Sequence, residues 1–230
     1  VAKLKECMHS PLYRWEEKLD GISILAIGGR LFSNKISKET GWPGEKTEHM
    51  PQVSIPLQQL GEYLILDGEA YREGWKSNQV TSITNTKDIP TALAKQAERG
   101  NLQLWVYDIL RDVDGTWLIN EPYEKRRARL EELFATEPAL QRAQDIVLNE
   151  IHNCATDDVE VALADILSRG LEGVVMKRID GVYSPGKRPM WVQLKLKATF
   201  DDDVIITGFL PATKKYTGKN IDTWPYWEDG

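Results

Sequence analysis

Five short clusters of chemically capable residues stand in order along the chain. The first is Lys18-Leu19-Asp20-Gly21. A lysine is a poor nucleophile at neutral pH, because its ammonium group has a pKa of ~10.4. Neighbouring cations or a metal ion lower that value, and Asp20-Gly21 supplies a tight turn that presents a strand-end lysine to a pocket. Asp67-Gly68-Glu69 and Tyr107-Asp108 lie toward the ends of apolar runs, and Glu172-Gly173-Val174-Val175-Met176-Lys177 follows a helix stop. Lys195-Leu196-Lys197 alternates charge with an apolar residue. Alone, each has a plainer reading: an exposed hairpin turn for the Lys18 tetrapeptide, a core ring for Tyr107, a solvated strand face for Lys195 and Lys197. As a set they offer a nucleophile, carboxylates for a divalent cation, an aromatic face for a base, and paired lysines for a triphosphate. That inventory suits Mg²⁺-assisted transfer of a nucleotidyl group.

Strands and helices must alternate to hold these clusters. Residues 1–9 form a short helix or lead-in, and 13–21 an extended segment running into a turn. Ile22–Ile27 is β-rich, Gly28-Gly29 is a two-residue hairpin signal, and Arg30–Ser33 is the return strand. Residues 34–54, with Gly41, Pro43 and Gly44, read as a loop. Tyr63–Tyr71, Leu102–Leu110, Gly173–Lys177, Trp191–Lys197 and Val204–Phe209 are further strands. Helices are expected over Ile89–Arg99, from Pro122 through Leu133, and from a Thr156-Asp157-Asp158 cap to about Arg169. The expected class is α+β, with antiparallel sheets flanked by helices.

Composition narrows the field. The 230 residues are 41% hydrophobic and 28% charged, a globular balance that excludes wholesale disorder. No apolar run approaches the ~20 residues of a membrane span, and no signal-peptide pattern opens the chain, so a secreted or membrane protein is not expected. The first residue is Val1 rather than Met, which suggests a processed or trimmed chain. Cys7 and Cys154 allow no disulfide framework, and with His9, His49 and His152 they show no zinc spacing. The net charge is −6, which argues against a generic nucleic-acid coat. Yet residues 172–197 hold six basic groups against two acidic ones, a local patch suited to phosphate.

The ordered motifs Glu16-X-Lys18-X-Asp20-Gly21, Asp67-Gly68-Glu69, Tyr107-Asp108, Glu172–Lys177 and Lys195-Leu196-Lys197 resemble those of ATP-dependent DNA ligases. The similarity is to the nucleotidyltransferase (adenylation) domain of a superfamily shared with RNA ligases and mRNA capping enzymes. Tyr183–Arg188 and the helix bearing Pro122, Arg126 and Arg127 also look like that family. The resemblance implies an ATP-grasp-like nucleotidyltransferase fold over 1–198 and the beginning of an OB-fold domain over 199–230. It implies that Lys18 attacks the α-phosphate of ATP and holds AMP, that Glu16 helps read the adenine edge, and that Tyr107 stacks on the base. Glu69 would contact the ribose or the metal, and Glu172 would help hold Mg²⁺. Lys195 and Lys197 would grip phosphates, and Lys177 would be a phosphate contact or a base-pocket wall. Arg126, Arg127, Lys187 and Arg188 are candidate contacts to DNA. The implied cofactors are ATP and Mg²⁺, and the implied substrate is nicked double-stranded DNA. The implied setting is replication, repair or recombination in a cytoplasm or nucleus, with a monomer expected.

Two departures qualify the resemblance. Many DNA ligases carry arginines where this chain has Ser23 and Asn34, with Arg30 or Lys35 as candidate substitutes. About 30 residues follow the last motif, too few for a five-stranded OB barrel. An RNA ligase, a guanylyltransferase or a non-catalytic nucleotide-binding domain are the alternatives.

Overall fold

Period-two alternation builds two sheets in the computed structural model, which describes residues 2–36, 40–186 and 189–197. The smaller sheet has β1 (Tyr13–Glu17) between β8 (His152–Asn153) and β9 (Gly173–Arg178), with β10 (Gln193–Lys197) beyond β9. Its pairs are antiparallel, with Glu17 opposite Val174, Lys195 opposite Val175 and Lys197 opposite Gly173. The larger sheet contains β2 (Ile22–Ile27), β3 (Arg30–Ile36), β4 (Pro43–Glu45), β5 (Ile65–Tyr71), β6 (Gln103–Arg111) and β7 (Ile146–Leu148). Its order is β4-β3-β2-β5-β6-β7. The β6–β7 pair is parallel, the one departure in the described sheets from the expected antiparallel pattern. The α+β class stands.

The helices are α1 (Ala2–Met8), α2 (Pro51–Gln58), α3 (Ser77–Thr84), α4 (Ile89–Arg99), α5 (Tyr123–Thr136), α6 (Pro138–Arg142) and α7 (Val159–Ser168). Asp88 caps α4 by accepting from the Thr91 N–H at 3.0 Å, and Asp158 caps α7 by accepting from the Val161 N–H at 3.1 Å. Such caps satisfy donors that have no partner in the first helical turn. The segment 34–54 is not a loop throughout. It carries the end of β3, β4, a 3₁₀ turn at Thr47–His49 and the start of α2. Proline misleads there. Pro51 occupies the first turn of α2, where its missing N–H costs nothing, and Val53 and Leu57, one turn apart, enter the core.

One core fills the space between the larger sheet and its helices, with Ile24, Leu31, Leu66, Leu104, Leu130 and Leu133 all buried. A second joins Met8, Tyr13, Trp15, Val159, Ile166, Val174 and Met176 under the smaller sheet. Both cysteines are free and buried in this second core. Burial pushes the Cys154 thiol up to about 11, so it is an inert packing group. The chain divides into units Val1–Ala198 and Thr199–Gly230. The expected Val204–Phe209 strand lies outside the described residues. No described helix is long and apolar enough to cross a membrane.

Candidate active site

The lysine is placed by close backbone packing. Lys18 follows β1 directly, and its N–H donates to the Gly173 carbonyl at 2.8 Å. Gly21 lies against β5: a Cβ there would stand 2.2 Å from the Ala70 carbonyl oxygen. Gly173 has φ 141°, and a Cβ there would stand 2.0 Å from the Leu196 carbonyl oxygen. These two glycines let strands from both sheets converge on the lysine.

The Lys18 ammonium meets the Glu172 carboxylate at 2.5 Å. Glu69 approaches from β5. Burial pushes its carboxyl up to about 8, against the opposing pull of Lys18 and Lys195, while Asp67 and Glu172 add repulsion. Lys18, Glu69, Lys195, Tyr107 and Glu16 together line a cavity of about 60 Å³, with Val175 and Asn149. A larger cavity of about 360 Å³ shares Glu69, Tyr107, Gln193 and Lys195 with it and extends to Asp67, Tyr123, Lys177 and Tyr183. Lys197 is exposed on β10 and lines neither cavity.

A buried pair begins on β1, two residues before Lys18. Lys177 meets Glu16 at 2.6 Å, and its ammonium lies 4.5 Å from the Tyr107 ring centre and 5.1 Å from that of Tyr123. Burial favours the neutral amine of Lys177. Glu16, then Tyr123 and Asp108, outweigh it and hold the pKa above that of an ordinary lysine. Lys177 is therefore a wall of the pocket interior, fixed as a cation by Glu16. The other Glu16 oxygen, Oε2, is buried with no hydrogen-bond partner. A buried acceptor left in that state is expensive unless a ligand supplies a donor.

Asp67 organises the larger cavity, a role the sequence reading did not assign. The Tyr107 and Tyr183 hydroxyls donate to its two oxygens at 3.1 and 2.9 Å. Burial still pushes its carboxyl up to about 6, the bond from Tyr183 opposing and Asp108 reinforcing. The sequence signal was present in Asp67-Gly68-Glu69 and Tyr183-Ser184, but nothing in it linked residues so far apart.

Two candidate DNA contacts are buried and paired within the protein. Arg126 is 3% exposed and makes a bidentate pair with Asp108 at 2.8 and 2.9 Å. Its third nitrogen donates to the Glu121 and Gly181 carbonyls. Arg127 is 5% exposed and donates to Glu131 at 2.7 Å. Neither guanidinium is exposed, and Arg126 lines the larger cavity. The helix periodicity turns both residues inward, and buried carboxylate and carbonyl acceptors hold Arg126 there. Lys187 and Arg188 lie outside the described residues. Arg30 does not substitute at the site either: it is bound to Glu45 at 3.1 and 2.7 Å. Ser23 and Asn34 both line the larger cavity, and the Asn34 amide donates to the Ser23 hydroxyl at 2.6 Å.

Among the described residues no three His, Cys, Asp or Glu side chains gather as a metal cage. Glu69 and Glu172 nevertheless fit Mg²⁺, which binds through one or two carboxylates plus substrate phosphates and water. The burial penalty on Glu69 and the cation already held by Glu172 both mark carboxylates that a cation would stabilise.

Comparison with known proteins gives the family. The profile of the ATP dependent DNA ligase domain matches residues 3–197. The chain belongs to that family. The DNA ligase of Thermococcus onnurineus is 32% identical over 168 residues, covering 70% of this chain and 28% of that protein. DNA ligase 1 of Methanosarcina barkeri is 29% identical over 220 residues, covering 89% of this chain and 38% of that protein. The chain thus spans about a third of the length of these curated relatives. A mycobacterial DNA ligase D complexed with ATP and MES superposes with a TM-score of 0.54 at 26% identity, covering 80% of this chain and 54% of that one. The Chlorella virus DNA ligase-adenylate shares the fold, with a TM-score of 0.57 at 22% identity, covering 84% of this chain and 64% of that one.

Proposed function

We propose that this chain is the adenylation domain of an ATP-dependent DNA ligase and that Lys18 carries the AMP. The observation that carries the reading is Lys18 paired with Glu172, lining one cavity with the half-buried Glu69 and with Tyr107. In the first step the Lys18 amine attacks the α-phosphate of ATP. The Nζ–P bond forms, the bond from that phosphorus to the bridging oxygen breaks, and pyrophosphate leaves. The amine gives up a proton in the process, and Glu172 is the carboxylate within reach of it. Mg²⁺ held by Glu69 and Glu172 would neutralise phosphate charge and lower the lysine pKa. Lys195, which lines both cavities, balances charge on the phosphates, and Lys197 would reach them only once ATP is bound.

Adenine stacks on Tyr107, and Glu16 receives its exocyclic amine at the unpartnered Oε2. Guanine carries an oxygen at that position, so the same carboxylate repels GTP. Two further displacements follow in the whole protein. AMP moves to the 5′-phosphate of a nick in duplex DNA, and the 3′-hydroxyl then displaces AMP to seal the strand. Residues 199–230 are proposed as the beginning of an OB-fold domain. The neutral Ser23–Asn34 pair, where many DNA ligases carry arginines, favours RNA ends as the second reading.

The test is self-labelling with α-labelled ATP or GTP and Mg²⁺, read on the denatured chain. ATP label that vanishes in Lys18→Ala supports the reading. GTP label alone would point to capping chemistry. With neither label in this chain or in one extended by a complete second domain, the catalytic reading fails.

A further inference from the structure

We infer that Tyr13 and Trp191 together set the register of β10, and so decide that Lys195 rather than a leucine enters the active site. Trp191 has φ 67°, the one non-glycine residue in the left-handed region among those described. Crowding between Cβ and the carbonyl oxygen disfavours that region for an L-residue, so something must hold it there. Three contacts do. The Tyr13 hydroxyl donates to the Trp191 carbonyl at 2.5 Å. The Lys3 ammonium lies 4.5 Å from the centre of the indole ring. The indole itself packs against the second core.

The position of this bend gives it consequence. Immediately after it, the Val192 carbonyl accepts from the Arg178 N–H at 2.9 Å, and Gln193 then pairs with Lys177 to start the β10 ladder. Side chains alternate along that strand. Gln193 and Lys195 line the cavities, while Leu194 and Leu196 pack on the second core. A slip of one residue reverses the two faces, pushing Lys195 toward the core and leucines toward the phosphates. Tyr13 lies on β1, the strand that leads into Lys18. One hydroxyl therefore couples the strand of the nucleophile to the strand of the phosphate-holding lysines. Tyr13 is a positioning residue: it touches no reacting atom.

The register claim stands on geometry, and its catalytic consequence rests on the adenylation reading. The experiment separates them. Tyr13→Phe keeps the ring and deletes the hydroxyl. Amide hydrogen exchange at Gln193–Lys197 should accelerate at least threefold, with β5 and β6 unchanged. In a Trp191→Gly background, glycine holds the positive φ without help, so adding Tyr13→Phe should cause less than that acceleration. No acceleration in Tyr13→Phe, or an equal one in the glycine background, overturns the inference. Global acceleration that includes β5 and β6 overturns it too, by making the hydroxyl a general stabiliser. In labelling assays the ATP KM should rise for Tyr13→Phe and recover when Trp191→Gly is added. Exchange that moves while the KM does not would uphold the register and reject Lys195 as a phosphate contact.

Discussion

Arg126→Ala tests whether the basic helix serves the fold or a nucleic acid. The pair with Asp108 is almost sealed, with side-chain exposures of 4% and 6%. Truncating the arginine leaves Asp108 buried with one remaining bond, the Ile109 N–H at 2.9 Å. Breaking such a pair by removing one partner costs about 3–5 kcal/mol. The orphaned carbonyl of Glu121 adds to the loss, while that of Gly181 keeps the Tyr123 N–H at 2.9 Å. Domains of this size are stable by roughly 5–15 kcal/mol, so about a fifth or more of the stability disappears. At about 2–4 °C per kcal/mol, the thermal midpoint should fall by roughly 6–20 °C. Urea unfolding gives the free energy, and DNA binding at two salt concentrations gives the electrostatic footprint. A variant within 1 kcal/mol of the parent, with its salt slope reduced by about one phosphate contact, would refute the buried-pair argument and restore a DNA contact. Arg126→Met with Asp108→Leu should regain most of the lost stability, because well-packed apolar residues replace a buried pair with little penalty.

Asp67, pushed up to about 6 by burial, binds its proton more tightly in the folded chain than in the unfolded one, where ~3.9 applies. Its contribution therefore favours the fold below about pH 4 and is lost as pH rises through 6, about 3 kcal/mol in all. Asp67→Asn should remove that part of the pH dependence in urea melts at pH 4.5 and 7, and identical slopes in parent and variant would contradict the assignment. Gly21→Ala should destabilise by about 1–3 kcal/mol by overpacking, because the new methyl meets the backbone of Ala70. A chemical melt indistinguishable from the parent would show that β2 and β5 separate more readily than their packing suggests. Asp158→Ala should cost about 1 kcal/mol through the lost cap of α7, and Asp158→Asn much less.

Local signals served well where one element decides the outcome. The alternation of Leu102–Leu110 yielded β6, and the Asp158 cap yielded α7, because both depend on neighbours within a few residues. They served badly for α2, where the breakers Gly41, Pro43 and Gly44 extended a loop over the start of a helix whose stability comes from Val53 and Leu57 in the core. The β7 strand, Ile-Val-Leu, is only three residues long, and nothing in so short an apolar run names β6 as its parallel partner.

The site divides in the same way. The sequence by itself determined the inventory: Lys18, the carboxylates of Glu69 and Glu172, the ring of Tyr107 and the lysines of β10, in family order. Tertiary structure alone decided which charges are spent on each other. It paired Lys18 with Glu172, Lys177 with Glu16 and Arg126 with Asp108, and it closed two tyrosine hydroxyls on Asp67. The reason is physical. A charge in an exposed stretch and the same charge in a dry cavity are written with the same letter, and only burial and the distance to a partner from another strand set its function.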